Sequence, residues 1–155
     1  LPMFEFLQAN LNECYFDVQA EVMEWNALTS FHRKPANSKD AVSKSINGAI
    51  VSHATQDPYS GFERFFLSSR ISPAGSNWGM IKNPWYDKTL AKAAKTFDPD
   101  KLAKILASVH EYAVNNAEWI WVTHDVNPRA LAPHVKGFVQ AKSWFQDLTP
   151  ISIKR

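Results

Sequence analysis

Phe97-Asp98-Pro99-Asp100-Lys101-Leu102-Ala103-Lys104-Ile105-Leu106-Ala107-Ser108-Val109-His110-Glu111-Tyr112-Ala113 is the most regular stretch of the chain. Leu102, Ile105, Leu106, Val109 and Ala113 recur at i, i+3, i+4 and i+7, the spacing that lines one face of an α-helix with apolar groups. Asp98 stands where an N-cap side chain accepts a free N–H. Pro99 follows at the first helical position, where a missing N–H costs nothing. The same Asx-Pro start occurs at Asp57-Pro58 and Asn83-Pro84. Phe62, Phe65 and Phe66 follow the first of these, and Leu90, Ala94 and Phe97 follow the second, so three capped helices are predicted.

Outward from these helices the pattern changes. Phe4, Leu7 and Leu11 mark a short helix, and Phe16-Asp17-Val18-Gln19-Ala20-Glu21-Val22 alternates strictly, as a half-buried strand does. Glu13, Cys14 and Tyr15 connect the two, although glycine is the usual residue beyond a helix end. Residues 25–31 read as another short helix, residues 33–44 as a polar excursion, and residues 46–55 as a buried strand. Residues 68–77 form a loop rich in Ser, Pro and Gly. Residues 119–123 and 148–153 read as strands, with a second extended segment over 130–139. Helix, strand, helix, strand, three helices and closing strands predict an α/β fold with crossover helices.

The chain has 155 residues, 45% hydrophobic and 13% aromatic, with 6 Trp. A chain of this length removes roughly 70% of its unfolded surface from water, enough for one domain with a core. Seventeen Lys+Arg against 15 Asp+Glu leave a net charge of +2, short of the basic excess that nucleic-acid binding needs. No apolar run approaches the roughly 20 residues of a membrane helix. The single Cys14 cannot form an internal disulfide, nor a structural zinc site by itself. Leu1 is followed at once by amphipathic sequence, so the chain is expected to be a fragment of a longer protein, and no signal sequence is visible in it.

His124-Asp125, His53, Asp57, Cys14 and several serines supply the residue types of a hydrolytic site. There is, however, no Gly-x-Ser-x-Gly elbow, His-Glu-x-x-His helix or glycine-rich phosphate loop. Neighbours in a strand face opposite ways, so His124 and Asp125 are expected to end a strand and shape the turn into Asn127-Pro128. His32, His53, His110, His124 and His134 show no i, i+4 pair and no cysteine cluster, so neither a metal site nor a cofactor is predicted. The tryptophans are the more suggestive set, because large amphipathic rings line pockets for organic solutes. Trp119 and Trp121 share one strand face and are expected to pack, and Trp85 starts a helix. Trp78 lies in the irregular loop beside Asn77, freer to meet a ligand. A hydrolase using His124 or His53 and a free-standing carbohydrate-binding module remain as alternatives.

These stretches together resemble the C-terminal part of the family 5 (peptide/nickel class) extracellular solute-binding proteins of ABC importers. Phe6-Leu7-Gln8-Ala9-Asn10-Leu11 with Phe16-Asp17-Val18-Gln19 and Glu24-Trp25 is similar to that family's helix, strand and tryptophan segment. Asn77, Asn83-Pro84-Trp85-Tyr86-Asp87 with Leu90, and Phe97 to Leu102 follow in the family's order. Ala130, Val135-Lys136-Gly137-Phe138 and Asp147-Leu148 look like its closing strands. The resemblance implies part of a two-lobed, type II-like binding protein with a mixed sheet and flanking helices. Residues up to about 125 would belong to a ligand lobe, and residues 126–155 would return toward the other lobe. It also implies a periplasmic or extracellular location, a peptide or other small solute, permease subunits as partners, and no catalysis. His53, Thr55, Gln56, Asn77, Trp78 and, at greater remove, Trp25 are the expected cleft residues, with Asp57 as a helix cap. Peptide-binding members carry a tryptophan and an acid before the Asp-Pro. Val51 and Ala54 hold those places here, so the charge-assisted grip on a peptide amino group is missing, and His53, Thr55 and Gln56 leave a neutral, hydrogen-bonding wall.

Overall fold

The computed structural model describes residues 2–35, 38–39, 57–123, 128–141 and 145–153. The strand expected over 46–55, the His124-Asp125 turn and Trp144 lie outside the described residues. Contacts divide the chain into two units, Leu1–Phe31 and His32–Arg155.

In the first unit, α1 spans Pro2–Glu13. It ends in a Schellman turn: Phe16 N donates to Leu11 O (3.1 Å) and Tyr15 N to Asn12 O (3.0 Å). Tyr15 takes the left-handed conformation that this turn requires, at φ 68°, a place that favours glycine. Residues 16–22 form no strand, which corrects the expectation drawn from their alternation. The backbone of Val18 is held from α1 instead: Gln8 Nε2 donates to Val18 O (2.7 Å), and Val18 N donates to Asn12 Oδ1 (3.2 Å). With no sheet neighbour, Phe16 and Val22 stay 62% and 73% exposed. Helix α2, Trp25–His32, whose last residue is counted with the second unit, starts at Glu24, whose carboxylate accepts from Asn26 N (2.7 Å) and Ala27 N (3.2 Å).

The second unit is built on three helices, α3 (Pro58–Phe66), α4 (Pro84–Ala93) and α5 (Pro99–Asn115). Each starts as its Asx-Pro pair predicts. Asp57 accepts from Ser60 N, Asn83 from Trp85 N and Asp98 from Lys101 N, all at 2.9 Å. Helix α4 packs against both α3 and α5. Phe65, Phe66, Tyr86, Leu90, Ala93, Leu106, Val109 and Ala113 form the core, with Leu102 and Ile105 partly buried beside it. The buried face of α4 is Tyr86, Leu90 and Ala93, not Leu90, Ala94 and Phe97. The helix ends before Phe97, which stands in solvent.

Tyr86 is fully buried and donates its hydroxyl to Glu118. A second Schellman turn puts Glu118 there: Ala117, at φ 50°, donates to Val114 O, and Glu118 N to Ala113 O. Burial first, then the bond to Glu118, raises the Tyr86 phenol far above its ordinary range, so it remains a donor. Residues 119–123 form no strand. Trp119 lies edge-on to Phe65 at 5.2 Å, and Trp121, half in solvent, lies 6.3 Å from Trp119 and 5.9 Å from His110, so the packing expected for the pair is deep for Trp119 and peripheral for Trp121.

Of the closing strands, only β1 (Val135–Lys136) and β2 (Ser152–Ile153) form a ladder among the described residues, antiparallel with Val135 opposite Ile153. Gly137 follows at φ +76°, where an added Cβ would sit 2.0 Å from Pro150 O. The described architecture is therefore mixed, mainly helical with a two-stranded sheet. The crossover βαβ arrangement expected from the element order does not occur within it. No helix among the described residues is long and apolar enough to cross a membrane.

Candidate functional site

The loop between α3 and α4 carries the two neighbouring residues singled out from the sequence. It opens with a 3-10 turn, Ser68–Arg70, whose Ser68 N donates to Asp87 Oδ1 on α4 (2.9 Å). Arg70 is paired with Glu63 of α3, and Arg64 Nε donates to Ser76 Oγ (3.2 Å). Gly75 passes so near Arg70 that an added Cβ would lie 2.8 Å from its carbonyl oxygen. The loop is thus wired to both flanking helices.

Asn77 closes it. Its side chain is fully buried. Nδ2 donates to Leu67 O (3.0 Å) and Ile81 O (2.7 Å), and Oδ1 accepts from Ile81 N (2.9 Å). Both amide hydrogens and the carbonyl oxygen are engaged in tying the two ends of the loop together. Asn77 therefore acts here by fixing the backbone that presents Trp78.

The Trp78 ring meets Phe65 edge-on (5.7 Å, 71°) and lies 4.3 Å from His32, both within the second unit. Its Nε1 is buried with no hydrogen-bond partner among the described residues, as are Ser68 Oγ and Ser72 Oγ on the same loop. A buried donor without an acceptor costs about 1–3 kcal/mol, so three such atoms on one loop call for a partner from water, ligand or further protein.

Of the other expected cleft residues, His53, Thr55 and Gln56 lie outside the described residues. Trp25 belongs to the first unit, where it is half-exposed. Asp57 is the cap of α3, accepting from Ser60 N and, at 2.6 Å, from Ser60 Oγ. The Ser60 hydroxyl first, and then the Ser60 N–H, hold its carboxyl below the usual carboxylate range. No group of three or more His, Cys, Asp or Glu suited to a metal ion occurs among the described residues.

Two arrangements escaped the sequence. Trp85 stacks on Tyr112 at 4.1 Å and 15°, with Asn83 Nδ2 donating to the Tyr112 hydroxyl (3.2 Å). Asp87 serves the loop and not its own helix. Asn83 and Asp87 stand four residues apart on one side of the first turn and Trp85 stands on the other, a spacing that could have separated the stack from the cap and the loop anchor.

The chain is similar to two curated proteins of Haemophilus influenzae. It is 30% identical over 122 residues to the periplasmic oligopeptide-binding protein OppA, covering 79% of this chain and 20% of that protein. It is 29% identical over 97 residues to heme-binding protein A, covering 63% of this chain and 17% of that protein. The chain thus spans a fifth or less of the length of these relatives. No protein-family model matches it. No solved structure matches it.

Proposed function

We propose that the chain is part of a family 5 solute-binding protein. It would work outside the cytoplasm and capture an oligopeptide or another small organic solute for an ABC importer without changing it chemically. The observation that carries this reading is the similarity, over most of the chain, to one protein named for binding oligopeptides and, over a shorter stretch, to another named for binding heme. Ligand contacts that form only in a closed state would shift the population of the whole protein toward closure, and that form would dock on the permease subunits.

In this proposal His53, Thr55 and Gln56 supply hydrogen bonds to the solute, Trp78 an apolar plate with one N–H donor, and Trp25 a further aromatic surface. Asn77 contributes by holding the loop. The buried, unpaired Trp78 Nε1 supports a solute acceptor as its partner. Mass spectrometry of small molecules released from the protein purified undenatured from its host tests the reading, and a stoichiometric organic solute is expected. Protein that carries none, but hydrolyses ester or peptide probes and stops doing so as His53→Ala or His124→Ala, would overturn it. Trp78→Phe keeps a ring against Phe65 but removes the N–H, and should weaken solute binding by up to about tenfold in titration calorimetry.

A further inference from the structure

We infer that the corner where α4 gives way to α5 rests on an anionic phospholipid surface. Residues 88–104 hold Lys88, Lys92, Lys95, Lys101 and Lys104 against Asp98 and Asp100. This short span is more positive than the whole chain, whose net charge is +2. The fold gathers three of these lysines: Lys92, Lys101 and Lys104, with Thr96, surround an open groove that includes Ile105. Asp98 is already engaged, accepting from Lys101 N and lying 3.9 Å from Lys101 Nζ. No ion pair to Lys92 or Lys104 occurs among the described residues, so their charge faces solvent.

Phe97 stands between the two helices at 93% exposure. A bare aromatic ring in the short connection that carries Lys95 and leads into the lysines of α5 fits a fluid interface, into which the ring sinks while the ammonium groups stay among phosphates. A folded partner would instead have to supply a preformed socket and bury about 800 Å² on each side for stable association. Phe97 is left out of the helix stripe by the same Asp98-Pro99 start that ends its connection to α4, so its exposure follows from the helix boundaries. This surface contains none of the proposed solute residues, and it stands or falls separately from solute capture.

Sedimentation of the purified protein with vesicles tests the inference. Phosphatidylcholine vesicles containing phosphatidylglycerol should pellet the protein at low salt and release it at high salt, while pure phosphatidylcholine should not pellet it. Each lysine near a charged surface is worth about fivefold in partitioning, so Lys92→Glu with Lys104→Glu should lower binding by about 25-fold or more. Phe97→Ser should lower it several-fold at low salt. Far-UV circular dichroism of these surface variants should match the parent. Equal pelleting by both vesicle types, none by either, or undiminished binding of the double lysine variant would overturn the inference. Release by low concentrations of inorganic phosphate would also overturn it, assigning the groove to the free anion instead.

Discussion

Tyr15 and Ala117 occupy the same place in two different helix ends, each the left-handed residue of a Schellman turn. An L-residue there carries a steric cost of about 1–2 kcal/mol that glycine avoids, partly offset by glycine's freer unfolded chain. Tyr15→Gly and Ala117→Gly should therefore each stabilise their own unit by about 0.5–1 kcal/mol, read as a higher urea midpoint. Asn77→Ala should act in the opposite sense. It leaves Leu67 O, Ile81 O and Ile81 N without their side-chain partner in a buried loop, a loss of about 3 kcal/mol in the same measurement. The sequence marks Asn77 and Trp78 as neighbours in an irregular segment, but no period there assigns a direction to a side chain. That the amide turns inward while the indole lies over Phe65 depends on Leu67 and Ile81 being drawn together, which only the folded loop shows.

At the scale of elements, the three Asx-Pro helices were legible because every signal they need is local: a cap, a fixed φ and a stripe. Asp98→Ala should cost about 1 kcal/mol in thermal or urea unfolding, as loss of an N-cap does. Asp57 adds a pH dependence. Its folded carboxyl lies below its unfolded value, so its capping stability is fully present above the ordinary carboxylate range and is lost as pH falls through the folded value. Asp57→Asn keeps a capping oxygen but cannot titrate, and its stability should fall less steeply on acidification, measured as melting temperature against pH. The strands were less legible. Alternation over 16–22 records a segment able to lie on a sheet, whereas a strand exists only when a second segment supplies the ladder. Gln8 and Asn12 take that role for Val18. By contrast, Val135 and Lys136 do find partners, because Gly137 lets the chain pass Pro150. Gly137→Ala should abolish that pairing, seen as faster amide exchange at residues 135–136 and 152–153.

At the scale of the whole molecule, the apolar side chains outside the three-helix core need an account. Phe16 and Val22 in the first unit, and Ile120, Val139 and Leu148 in the second, are all more than half exposed. Single exposed apolar residues are ordinary. Apolar residues concentrated in extended segments without ladder partners are a template for strand addition. In a chain that spans a fifth or less of its relatives, we propose that these segments are sheet strands completed by the remainder of a longer protein. Hydrogen exchange separates this proposal from the alternative that they are surface loops. In the isolated 155-residue chain the amides of residues 19–22 and 119–122 should exchange freely, while those of α4 and α5 should be protected by the core around Leu90 and Val109. In the longer protein the first set should become protected as well. Protection confined to the helices in both would mean that these segments are loops, and would leave the α/β architecture inferred from the sequence without its sheet.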